Sequence, residues 1–160
     1  MGLAIAFWIL AIVAIVAALG VIVQKNVFRA ALSLIVCLVA VAGIFITLSA
    51  DFLAGVQILV YVGAISVVII LAIMLTREFT RGSPSNRLRL PALVISAVFF
   101  GLTVFAILNT DWQVSPEMPQ TPTTPGLAEQ LFGQNGFLLP LEISAVLILA
   151  VILGAIVIAR

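Results

Sequence analysis

An all-α integral membrane protein with five transmembrane helices is the fold class this sequence predicts, and three observations predict it. Of the 160 residues, 64% are hydrophobic and only 8% charged, with a mean hydropathy of +1.40, whereas a soluble domain carries about 25% charged residues. Five apolar runs, at 3–23, 28–49, 52–75, 91–108 and 137–159, follow one another along the chain, and about 20 apolar residues at ~1.5 Å rise cross a ~30 Å hydrocarbon core. All seven Lys and Arg then fall in connections on one side of a five-helix chain. The positive-inside rule places that side in the cytoplasm, with the N-terminus outside and the C-terminus inside. The whole chain, 1–160, reads as a single membrane domain.

The first run carries no charge and no proline, and its nearest cations, Lys25 and Arg29, come after it. A secretory signal has its positive charge before the apolar core, so the run is expected to be an uncleaved helix. Gln24-Lys25-Asn26 forms a short turn into the second run, where Gly43 and Thr47 are four apart and suit close helix packing. A connection of a few residues around Asp51 makes the second and third helices antiparallel neighbours. The polar segment 77–90 holds Arg77, Glu78, Arg81, Arg87 and Arg89 around Gly82-Ser83-Pro84-Ser85-Asn86, a loop signal. The fourth run opens on Pro91, acceptable in a first helical turn.

The connection 109–136 is expected on the outer side. It has three acids and no Lys or Arg, and Pro116, Pro119, Pro122 and Pro125 recur every third residue. That spacing matches polyproline II, and two readings stand side by side: a strand laid across the membrane surface, or an extended linker without a partner. In the last run Ala150 and Gly154 form a small-xxx-small pair.

What the chain lacks excludes several chemistries. With no histidine and one cysteine, it can build no His-containing zinc site, no Cys–His pair and no intrachain disulfide. Cys37 lies in an apolar run, where a thiol acts as a small hydrophobe. No phosphate-binding glycine loop or basic nucleic-acid patch is present. No catalytic, cofactor-binding or metal-ligating residue is expected.

Polar groups inside the membrane are therefore the candidate functional residues. The segment 51–76 alone carries them at its middle: Gln57 and Tyr61, four apart and hence on one face of an α-helix, then Gly63 and Ser66 in Tyr61-Val62-Gly63-Ala64-Ile65-Ser66. A buried phenol needs a partner, since an unpaired hydroxyl costs roughly 2–7 kcal/mol. One reading is packing, with the glycine admitting a neighbouring helix. The other is a hinge or π-bulge, an irregular turn often found at functional sites. Glu142 is the only carboxylate inside an apolar run. Pro140 suggests a helix start near Leu139, which would put Glu142 in the first turn, near the outer interface. An acid there either satisfies the helix dipole, worth roughly 0.3–1 kcal/mol, or serves a proton path. Five helices do not divide into the equal repeats of a transporter, which favours one subunit of a larger assembly.

Val56-Gln57-Ile58-Leu59-Val60-Tyr61-Val62-Gly63-Ala64-Ile65 with Ala72-Ile73-Met74-Leu75, then Leu138-Leu139-Pro140-Leu141-Glu142-Ile143 and Gly154-Ala155-Ile156-Val157, resemble subunit 6 (chain J) of the proton-pumping NADH:quinone oxidoreductase, complex I. The resemblance runs over essentially the whole chain, and its specific part is the Tyr-x-Gly-Ala core of the third helix. It implies a core subunit of the membrane arm in the cell's inner (cytoplasmic) membrane, packed among chains A, H, K and N and lipid. It implies no cofactor in this chain, with NADH, FMN, Fe–S clusters and quinone on other subunits. It further implies a π-bulge at Tyr61-Val62-Gly63 whose change of winding opens or closes a hydrated proton route; the candidate path and switch residues are Gln57, Tyr61, Val62, Gly63, Ser66 and Glu142. Some members carry a glutamate where this chain has Gln57; the amide does not titrate but still holds water. Glu142 matches an acidic position at the start of the family's fifth helix. Two other readings remain: a freestanding small transporter or channel, and a purely structural assembly subunit.

Overall fold

The computed structural model describes residues 2–76, 88–112, 122–133 and 136–160. Every regular element among them is helical: α1 (Gly2–Val23), α2 (Val27–Thr47), α3 (Asp51–Leu75), α4 (Arg89–Asn109), α5 (Thr123–Phe132) and α6 (Leu138–Ala159). Five of these, all but α5, are long and apolar enough to cross a membrane. The chain is an all-α, multi-pass membrane protein. The cation-rich residues 77–87, Pro116 and Pro119 lie outside the described residues.

Helices α1 and α2 form an antiparallel hairpin that packs through small residues. A Cβ on Gly20 would lie 3.2 Å from Ser33 Oγ, and one on Gly43 would lie 2.9 Å from a Leu10 methyl. Gly43 thus takes the packing role its spacing suggests, whereas the Thr47 hydroxyl donates to its own helix at the Ile44 carbonyl, 2.7 Å away. Ala17, Ala31, Ala40 and Ala42 are buried in the same region. Lipid is as apolar as a leucine side chain, so close backbone approach, not hydrophobicity, holds such helices together. The turn between them is set by Asn26, the N-cap of α2, whose side-chain oxygen accepts from the Phe28 and Arg29 amides.

α2 ends two residues short of the expected 49. Ser49 adopts φ 57°, Ala50 N–H donates to the Phe45 carbonyl at 2.9 Å, and Ser49 N–H donates to Ile46 at 3.1 Å. This pair of bonds is a Schellman motif, normally closed by glycine in the left-handed region. The reversal lays α3 antiparallel on α2. α4 and α6 differ sharply: no described side chain on either is buried, and α6 has its extended contact with α5 alone.

The connection 109–136 is not an extended strand throughout. Pro122, at φ −51° and ψ 136°, keeps the polyproline geometry, but Pro125 lies in the first turn of α5, where its missing N–H is not required. The Thr123 amide donates to the Asp51 carboxylate at 2.9 Å, which ties α5 to the N-terminal end of α3. Gly133 ends the helix, and a Cβ there would collide with the Glu129 carbonyl oxygen.

Candidate functional site

The middle of α3 is where its winding changes. Asp51–Val56 is α-helical, Gln57–Ile65 is π-helical, and Ser66–Leu75 is α-helical again. In an α-helix each amide bonds the carbonyl four residues earlier, and in a π-helix the fifth. At the exit of the segment the Ser66 amide donates to the Tyr61 carbonyl, five residues back. The Ser66 hydroxyl donates to the same oxygen at 2.8 Å. Elsewhere among the described residues, hydroxyls that donate to a carbonyl of their own helix reach three or four residues back: Thr103 to Phe99, Thr110 to Ala106, Ser144 to Leu141. Ser66 therefore closes the wide turn twice, once with its backbone and once with its side chain.

Glycine suits position 63 for a reason local to this winding. A Cβ there would lie 3.3 Å from the Ile58 carbonyl oxygen, the group five residues back that a π turn swings toward it. A larger side chain must displace that carbonyl by a few tenths of an ångström.

The wide turn also decides which polar groups share a face. Gln57 and Ser66 are nine residues apart, about two and a half turns of an α-helix, which would put them on opposite sides. At roughly 4.4 residues per π turn the same nine residues make about two turns and align them. Both are buried, at 8% and 3% exposure, and they are the only buried polar residues among those described. Gln57 Nε2 donates across to the Leu38 carbonyl on α2 at a long 3.4 Å, with Ala54 buried one turn before it.

Tyr61 parts company with Gln57. The spacing of four keeps both near one face in either winding, within about 40° of a full turn, yet Gln57 is buried against α2 and Tyr61 is 45% exposed. Its carbonyl accepts both Ser66 bonds. Val62 is half-buried and Gly63 exposed. Glu142 is not brought to this group. α6 begins at Leu138, so Glu142 is its fifth residue, beyond the first turn expected from Pro140, and it is exposed on a helix without extended contact to α3. Sequence reasoning missed Asp51, whose carboxylate joins α5 to α3; its position at a helix start opposite a threonine-rich segment was the available signal. Among the described residues no cluster of acids or thiols could hold a metal ion.

Five apolar spans, with a polar pair buried within the middle of one of them, define a multi-pass membrane protein. The NADH-ubiquinone/plastoquinone oxidoreductase chain 6 family matches residues 17–158, and the chain belongs to that family. It is 37% identical over 158 residues to the F(420)H(2) dehydrogenase subunit J of Methanosarcina mazei, covering 96% of this chain and 89% of that one. It is 41% identical over 160 residues to the NAD(P)H-quinone oxidoreductase chain 6 of a Synechocystis species, covering 98% and 80%. Its identity to the chloroplastic NAD(P)H-quinone oxidoreductase subunit 6 of Mesostigma viride is 36%, covering 91% and 78%. The chain is thus a membrane subunit of the complex I type, and membership implies a hetero-oligomeric complex.

Proposed function

We propose that this chain is a core subunit of a proton-translocating quinone oxidoreductase and that α3 gates a hydrated proton path by changing its winding. The observation that carries the reading is the alignment of Gln57 and Ser66 on one buried face, which exists only while Gln57–Ile65 is π-wound. Rewinding to α would turn Ser66 by about half a turn relative to Gln57. Two buried polar groups that hold water in one state would be separated by Ile, Val and Leu in the other. The two windings differ by few hydrogen bonds, a condition for a two-state element.

The relatives support leaving donor chemistry to other chains. One is named for F(420)H(2) and others for NAD(P)H, so the shared membrane chain serves assemblies with different donors. On this reading NADH or another donor, FMN, Fe–S clusters and quinone sit on partner subunits, and chains A, H, K and N are the neighbours. The N-terminus lies outside and the C-terminus in the cytoplasm of a bacterial-type inner membrane. Gln57, Tyr61, Val62, Gly63 and Ser66 form the switch, with Glu142 a separate acid near the outer end of α6.

The test is Gly63→Val in the assembled complex, with Tyr61→Phe beside it. The crowded valine should abolish quinone-linked proton uptake into vesicles while the complex still assembles, and Tyr61→Phe should reduce it less. Parental pumping by both variants would leave the segment as packing.

A further inference from the structure

We propose that the groove between α1 and α2 at their connected end binds one anionic phospholipid, its acyl chain along the groove and its phosphate at Arg29. The groove encloses about 610 Å³, and its walls are Ile12, Val13, Val16, Leu32 and Val36. Only its end near the 24–26 turn is polar, where Gln24, Ser33 and Arg29 line it. Gln24 Nε2 donates to Ser33 Oγ, and the Arg29 guanidinium is the one charged group among the lining residues. No acid is among the lining residues.

Two features commit the groove to a lipid rather than a protein helix. The first is depth. From Ile12 to Gln24 is about 18 Å at ~1.5 Å per residue, close to one leaflet of a ~30 Å core, so the groove runs from the interface to the midplane and stops. A crossing helix needs a channel through both leaflets, whereas an acyl chain needs one. The second is charge. Arg29 stands at the interfacial end with Lys25 in the adjoining turn, both exposed, and basic pockets between membrane helices on the cytoplasmic side suit anionic headgroups. Assignment to the cytoplasmic leaflet rests on the orientation proposed above.

The test uses the assembled complex in phosphatidylcholine vesicles that contain a few per cent phosphatidylglycerol with a photoactivatable acyl chain. After illumination, labels should map to 12–16 and 32–36, and at least tenfold less should be found with a phosphatidylcholine probe carrying the same chain. Arg29→Gln should lower the labelling at least fivefold and Arg29→Lys should restore most of it. Val16→Trp should block it without changing labels on α4 or α6. Inorganic phosphate should not compete. Equal labelling by the two probes, indifference to Arg29→Gln, or near-complete crosslinking of a Val16→Cys variant to a partner subunit would overturn the proposal. None of these readouts depends on pumping, so failure of the gating reading leaves them standing.

Discussion

Helices α1–α3 and the pair α4 and α6 are built from nearly the same residues yet behave differently. Ala17, Ala31, Ala40, Ala42, Ala54, Gln57 and Ser66, all the buried residues among those described, belong to the first group. The two groups overlap in hydropathy, and every described side chain on α4 and α6 is exposed. What separates them is the placement of small residues. Gly20 and Gly43 meet side chains across the hairpin, whereas a Cβ on Gly101 or Gly154 would have nothing within 4 Å. In a bilayer apolar character puts a helix into the membrane, and only shape decides which helices touch.

The largest test of that contrast is a matched pair of substitutions. Gly43→Leu drives a side chain into Leu10 and should destabilise the chain by about 1–3 kcal/mol, read as a lower unfolding midpoint in mild detergent. Gly154→Leu should leave that midpoint unchanged and instead lower the yield of assembled complex, because its face is free for other subunits. Equal midpoint losses would erase the distinction between the two regions. Next in size, Asn26→Ala removes the cap that sets the α1–α2 turn and should cost about 1 kcal/mol in the same measurement. Ser49→Gly acts in the opposite direction. It relieves a left-handed residue and should raise stability by about 1 kcal/mol, read as a higher midpoint in the same measurement. The smallest effect is expected from Ser66→Ala, about 0.6 kcal/mol for a membrane-buried hydroxyl bond. Its sharper readout is hydrogen exchange, which should quicken across Gln57–Ile65 but not in α4.

The five spans were legible because composition and run length alone specify them, and each observed helix lies within a few residues of its expected run. The partnership of α1 with α2 was hinted at by Gly43, but the isolation of α4 and α6 was not, since Gly154 with Ala150 looks as suitable for packing as Gly43 does. Gln57, Tyr61, Gly63 and Ser66 stood out as polar or small residues in an apolar run. The alignment of Gln57 with Ser66 was hidden, because nine residues end on opposite sides of a helix whose turn holds 3.6 residues. The different burial of Gln57 and Tyr61 is set by the neighbour α2, which spacing does not reveal. α5 was hidden by its prolines. Thr123-Thr124-Pro125 at a helix start, Leu127 and Leu131 four apart and a terminal Gly133 are helix signals that the three-residue proline repeat outweighed.

The π segment has a further consequence that concerns length. Wound wholly as α, the 25 residues of α3 would measure about 37 Å, well above a ~30 Å hydrocarbon core. Wider turns advance less per residue, so the π-wound middle shortens the helix by on the order of 3 Å. Any return to α winding would lengthen α3 against fixed anchors: the Ser49 turn and the Asp51–Thr123 bond at one end, and the headgroup region at the other. Bilayer thickness then becomes a force on the helix, because mismatch costs fractions of a kcal/mol per ångström. A membrane of longer acyl chains would favour the α form and one of shorter chains the π form, so the lipid itself would bias the setting of this one span.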